Sequence, residues 1–77
     1  MSNTQLSEKN IKVLRLISNG KTYKEAGIEL EIKPRTVQMH MDIIKRKLNA
    51  KSISHAVAIA VGSGIVQVEN SDVQFKT

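Results

Sequence analysis

The stretch KPRTVQMHMDIIKRKL, residues 33–48, decides how the chain folds. Val37, Met41, Ile44 and Leu48 recur at i, i+4, i+7 and i+11, one stripe of an α-helix. Pro34 stands where a first helical turn tolerates proline, because the N–H it lacks would have had no intrahelical acceptor. The other side carries Arg35, Gln38, Met39, Asp42, Lys45, Arg46 and Asn49, mostly long, polar or basic side chains. A helix buried along one stripe and offering that side to solvent suits the major groove of DNA. The stretch reads as a recognition helix.

Charge supports the same reading. The net charge is +5 and the isoelectric point about 9.8. Of twelve Lys and Arg residues, Lys33, Arg35, Lys45, Arg46, Lys47 and Lys51 lie in this stretch or just beyond it, with Asp42 the one acid among them. Such a stripe is the footprint of a polyanion binder, although a solvated basic helix face has the same composition. At 77 residues the chain is one small domain, which gains from oligomerisation or a ligand. It has no cysteine, and its two histidines stand apart from any acid cluster, so neither a disulfide, a metal nor another cofactor is expected. No apolar run approaches a membrane span and the N-terminus lacks a signal-peptide core, so a cytoplasmic location is expected. No serine has a credible base and no carboxylates pair, so catalysis is not expected.

Three further helices are legible. Ser7 can cap the first, which shows a wide apolar face of Ile11, Leu14 and Ile17 with Val13 and Leu16 beside it, and ends at Asn19-Gly20. Thr22 and Glu25 form a capping box for the second, in which Tyr23, Ala26, Gly27 and Leu30 make the buried side. Gly27 is expected there to admit another helix closely. Residues 31–34 make a tight turn with Ile32 plugging the corner. Ser52 caps a fourth helix running to about Val61, whose Ile53, Ala56, Val57 and Ala60 pack on the domain. Its opposite side holds His55, Ala58, Ile59 and Gly62, and a helix apolar on both sides asks for a second surface, most simply its own copy across a two-fold axis. Ile65, Val66 and Val68 are expected to fold back on the core.

These residues resemble the LuxR/GerE-type helix-turn-helix domain of bacterial transcription regulators. The resemblance rests on Leu6-Ser7, Val13-Leu14, Gly20, Thr22-Tyr23-Lys24-Glu25, Leu30, Ile32, Arg35-Thr36-Val37, His40, Ile44, Arg46-Lys47-Leu48, Ala56-Val57 and Gly64-Ile65. It implies an all-α, four-helix domain over residues 6–66, between a flexible lead (1–5) and a flexible tail (67–77), as in members that consist of this domain alone. It implies a sequence-specific regulator that binds double-stranded DNA as a homodimer on an inverted repeat. RNA polymerase or a larger LuxR-type regulator are further partners it allows.

The resemblance also implies roles for individual residues. Gln38, Met39 and Asp42 align with positions that reach base edges. Thr22, Tyr23, Lys24, Arg35, Thr36, Lys45, Arg46 and Lys47 fall at or beside phosphate-holding positions. Lys51, His55, Ala58, Ile59 and Gly62 fall at the dimer interface, with His55 read as an inert rim residue. His40, with no second ligand at helical spacing, is expected to be structural or to meet phosphate rather than metal. Two departures stand out. Asn10 replaces a usual glutamate, which puts an internal contact of the first helix in doubt, and Gln38 replaces a common lysine. A second reading stays open, in which the chain is an interaction module that pairs through its fourth helix with a larger relative.

Overall fold

The computed structural model describes residues 6–68. Within them lie four α-helices and no strand: α1 (Glu8–Ser18), α2 (Tyr23–Leu30), α3 (Pro34–Lys47) and α4 (Ile53–Gly62). The expected flexible ends fall largely on residues 1–5 and 69–77, outside the described residues.

Each helix begins on a side-chain cap or on proline. Ser7 Oγ accepts from the Asn10 amide at 3.0 Å, and Asn10 Oδ1 accepts from the Ser7 amide at 3.2 Å. Asparagine thus fills the place glutamate or glutamine usually holds in a capping box. At α2 the partners are those expected, Thr22 Oγ1 accepting from the Glu25 amide (3.0 Å) and Glu25 Oε1 from the Thr22 amide (2.9 Å). α3 has no side-chain cap and starts on Pro34. Ser52 Oγ accepts from the His55 amide at 3.0 Å and starts α4.

The helix ends explain the short connections. α2 stops at Glu31 and α3 just before Asn49, both in the left-handed region at φ 61° and 56°. Each reversal is closed by an amide reaching back five residues, Ile32 to the Gly27 carbonyl and Ala50 to the Lys45 carbonyl, both at 2.9 Å. A left-handed glutamate carries backbone strain of order 1–3 kcal/mol, offset here by the turn's hydrogen bond and the packing of Ile32.

The core is assembled on the α3 stripe. Val37, Met41 and Ile44 are wholly buried, and Val13 and Leu14 of α1, Ala26 of α2, Ala56 and Ala60 of α4 and Val66 join them. Burying a side chain the size of Leu14, Met41 or Ile44 contributes about 1.5–3 kcal/mol. α2 and α3 share the most extensive helix contact, and α1 packs across both. The wide face expected of α1 narrows to Val13 and Leu14, with Ile11, Leu16 and Ile17 half-buried around the core. The expected return of the chain holds for Ile65 and Val66, whereas Val68 stays exposed.

Gly27 departs from expectation in an instructive way. It does sit in a close approach, but to the backbone of the turn and the first residue of α3 rather than to a packed helix face. A Cβ at Gly27 would lie 2.7 Å from the Ile32 carbonyl oxygen and 3.3 Å from the Pro34 nitrogen. The glycine sets how sharply the chain can turn from α2 into α3.

Candidate nucleic-acid interface

α3 has one side without solvent contact and one side almost wholly in it. Opposite Val37, Met41 and Ile44 stand Arg35, Gln38, Met39, Asp42 and Arg46, all exposed, with Met39 at 54%. Arg35, Thr36, Gln38, Met39 and Asp42 line one shallow basin of about 400 Å³. Asp42, Lys45, Arg46, Asn49 and Ala50 line a second of about 410 Å³. Asp42 belongs to both, so the acid stands midway along a face built otherwise of cations, hydrogen-bonding side chains and the apolar Met39 and Ala50. The residues expected at base edges, Gln38, Met39 and Asp42, are therefore neighbours on one helix face. Arg35, Thr36, Lys45 and Arg46 flank them, and Lys47 is exposed in the last turn.

The start of α2 abuts this face. Tyr23 is half-buried, and its hydroxyl pKa is raised above 10.0, first by burial and then by the Asp42 charge. The Asp42 charge is thus felt at Tyr23, the first residue of α2, a relation their positions in sequence alone do not show, and Thr22 and Lys24 on either side of Tyr23 are exposed. Thr22 Oγ1 accepts from the Glu25 amide, and its hydroxyl also acts on the Glu25 carboxylate, so the side chain is engaged within the capping box. Glu25 is held below the ordinary carboxylate value, chiefly by the Thr22 amide it accepts from. Desolvation acts against this, and the Lys21 charge and the Thr22 hydroxyl act with it.

His40 lies on the flank of α3, half-buried, with its Nδ1 3.0 Å from Asn10 Nδ2. The side chain at position 10 thus makes a contact from α1 to α3. Sequence reading did not connect the two residues. The signal available was the Ser7-x-x-Asn10 spacing, which marks Asn10 as a capping side chain but not as a contact to α3.

Lys51, just before α4, and His55, Ala58 and Gly62 of α4 are exposed, and Ile59 is half-buried and packs on the core as well. Val61 is exposed at 38% and extends the apolar part of the surface. His55 Nδ1 accepts from the Lys51 amide at 3.0 Å and ties down the turn before α4.

Among the described residues no helix is long and apolar enough to cross a membrane, and no group of His, Asp and Glu is arranged to hold a metal ion.

The sequence is similar to several bacterial regulators. The "Transcriptional regulatory protein YdfI" of Bacillus subtilis is 39% identical over 67 residues, covering 87% of this chain and 32% of that protein. The "Transcriptional regulatory protein FixJ" of Rhizobium meliloti is 37% identical over 59 residues, 77% of this chain and 29% of that protein. The "Transcriptional activator protein CarR" of Pectobacterium carotovorum is 39% identical over 59 residues, 77% of this chain and 24% of that protein. The chain spans a third or less of the length of these curated relatives. The family model for bacterial regulatory proteins of the luxR family matches residues 4–60, which include α1, α2 and α3. On that match, and on a helix-turn-helix formed by α2 and α3, the chain belongs to the luxR family of bacterial regulatory proteins and carries its DNA-binding domain.

Proposed function

We propose that the chain binds double-stranded DNA as a homodimer on an inverted-repeat site, in the cytoplasm, and so regulates transcription without catalysing a reaction. α3 of each copy enters the major groove, with half-sites about one helical turn apart. Gln38 offers a bidentate amide to adenine, Met39 an apolar contact for a thymine methyl, and Asp42 an acceptor for the cytosine amino group. Thr22, Tyr23, Lys24, Arg35, Thr36, Lys45, Arg46 and Lys47 hold phosphates and set register. The single observation that carries this reading is the division of α3 into a wholly buried stripe and an exposed face on which Arg35 and Arg46 flank Gln38, Met39 and Asp42. The exposed Ala58 and Gly62 of α4, with His55, Lys51 and Ile59 around them, support α4 as the meeting surface.

Asp42 favours a second reading. A carboxylate in the middle of the reading face repels phosphate, and a domain weakened for DNA in this way can act by pairing through α4 with a larger luxR-type regulator. Contact with RNA polymerase fits either reading.

Selection from a random duplex library by the purified chain, followed by titration across salt, tests the proposal. An enriched inverted repeat is expected, with the log–log salt slope reduced by about 0.9 for each phosphate contact removed in Arg35→Ala and Arg46→Ala. Weak binding with no enriched motif would favour the interaction module.

A further inference from the structure

The hydrogen bonds of Asn10 leave its side chain one orientation. Its Oδ1 accepts from the Ser7 amide, so Nδ2 is the atom 3.0 Å from His40 Nδ1. An amide nitrogen only donates, and the His40 Nδ1 must therefore accept, so that in the neutral ring the proton sits on Nε2. The ring's other polar atom is then a fixed N–H donor. His40 lines a cleft of about 180 Å³ with Lys9 and Lys12 of α1 and Thr36 of α3, over an apolar floor that includes Val13. Among the described residues no carboxylate lines this cleft. Thr36 lines both the cleft and the basin of Arg35, Gln38, Met39 and Asp42, so the cleft adjoins the reading face.

We propose that this cleft takes a phosphate oxygen of the DNA backbone, with the His40 Nε2–H as a neutral donor beside Lys9 and Lys12 and Asn10 as the positioning residue that fixes its tautomer. The inference rests on the DNA-binding reading and extends its footprint from the exposed face of α3 to α1. Lys9 and Lys12, which sequence reading passed over, become phosphate contacts, and Asn10 acts on DNA only through His40.

The test starts with a long-range proton–nitrogen spectrum of the histidine-labelled chain, well above the ordinary imidazole pKa of about 6.5. His55 is identified by its loss in His55→Gln. The expected result is a His40 ring whose Nδ1 is unprotonated and whose Nε2 carries hydrogen. A ring protonated on Nδ1, or one averaging between tautomers, overturns the role of Asn10. Two variants then separate packing from donation. Asn at position 40 keeps an acceptor near Nδ1 for Asn10 but has no donor near Nε2, whereas Gln places an N–H near Nε2. His40→Asn should melt close to the parent chain yet bind a random-sequence duplex of about three helical turns, or 30 base pairs, about tenfold more weakly for each copy in contact, the size of one charge-assisted hydrogen bond per copy. His40→Gln should stay within about threefold of the parent, a difference of well under one such bond.

The salt slope should not change in His40→Asn, because a neutral donor releases no counterion. Equal affinity for His40→Asn and the parent overturns the donor role, and so does a slope reduced by about 0.9 for each copy in contact, which would make the ring a cation. Inorganic phosphate is titrated in the same spectrum. If it moves Nε2 and the duplex does not, the cleft is a small-anion site and the backbone assignment falls. If the parent chain binds no duplex, the DNA reading fails and takes the donor role with it. If the parent binds and only the position-40 comparison fails, the DNA reading stands without it.

Discussion

Gly27 and Ile32 meet twice across the turn between α2 and α3. The Ile32 amide donates to the Gly27 carbonyl at 2.9 Å, and the Ile32 carbonyl oxygen lies 2.7 Å from where a Gly27 Cβ would stand. The neighbour is backbone, held by its own hydrogen bond and by the proline that follows, so it has little room to withdraw. Alanine would gain about 1 kcal/mol of helix propensity at this position. Overpacking against a fixed atom typically costs about 1–3 kcal/mol, and the closeness of this contact makes the cost prevail. Gly27→Ala should therefore lower the melting temperature by several degrees, at about 4–8 °C per kcal/mol for a domain of this size. A melt at or above that of the parent would show that the turn can open without penalty.

The Thr22–Glu25 box predicts an acid-side loss of stability. The Glu25 pKa is lower in the folded chain than the ordinary 4.5, so the unfolded chain binds the proton more tightly. Its contribution is complete above the unfolded value and disappears as pH falls through the folded one. Urea midpoints measured from neutral to acid pH should fall less steeply in Glu25→Gln, which keeps a capping oxygen but does not titrate. Thr22→Ala, by removing the cap, should cost about 1 kcal/mol throughout the range.

Tyr23 and Asp42 predict an effect at the alkaline end. Tyr23 is the single tyrosine of the chain, so ultraviolet absorbance reads it directly. Its raised pKa means that its contribution to stability is present below 10.0 and is lost as pH rises through the folded value. Asp42→Asn should bring the Tyr23 titration down toward 10.0 without reaching it, because burial, the larger cause, remains. An unchanged titration would separate Asp42 from the start of α2. The same substitution should strengthen non-specific duplex binding if Asp42 acts mainly by repelling phosphate.

The α4 surface makes the oligomer testable apart from the fold. Ala58 is exposed, so Ala58→Asp leaves the core of one copy intact. Sedimentation should show the variant shifted to monomer with its melt at low concentration close to that of monomeric parent. Affinity for an inverted repeat should drop by well over tenfold, since two linked half-sites bind far more tightly than one. A variant that stays dimeric would move the interface elsewhere.

Most of the fold is legible in sequence because it is written in local terms. The stripe of Val37, Met41, Ile44 and Leu48, the caps at Ser7, Thr22 and Ser52, Pro34 at the start of α3 and Gly20 after α1 each act within a turn or two of helix. Spacing alone specifies them, and the same spacing places Gln38, Met39 and Asp42 on one face. Tertiary structure decides what depends on residues far apart in sequence. It brings Asn10 to His40 across 30 positions, Tyr23 to Asp42, and Lys9 and Lys12 to Thr36. It also decides that Gly27 answers to the backbone of a turn, and that Glu31 and Asn49 take left-handed conformations glycine more often supplies. Periodicity says which side of a helix is buried; which side chain of another helix lies against it is settled only when the helices pack.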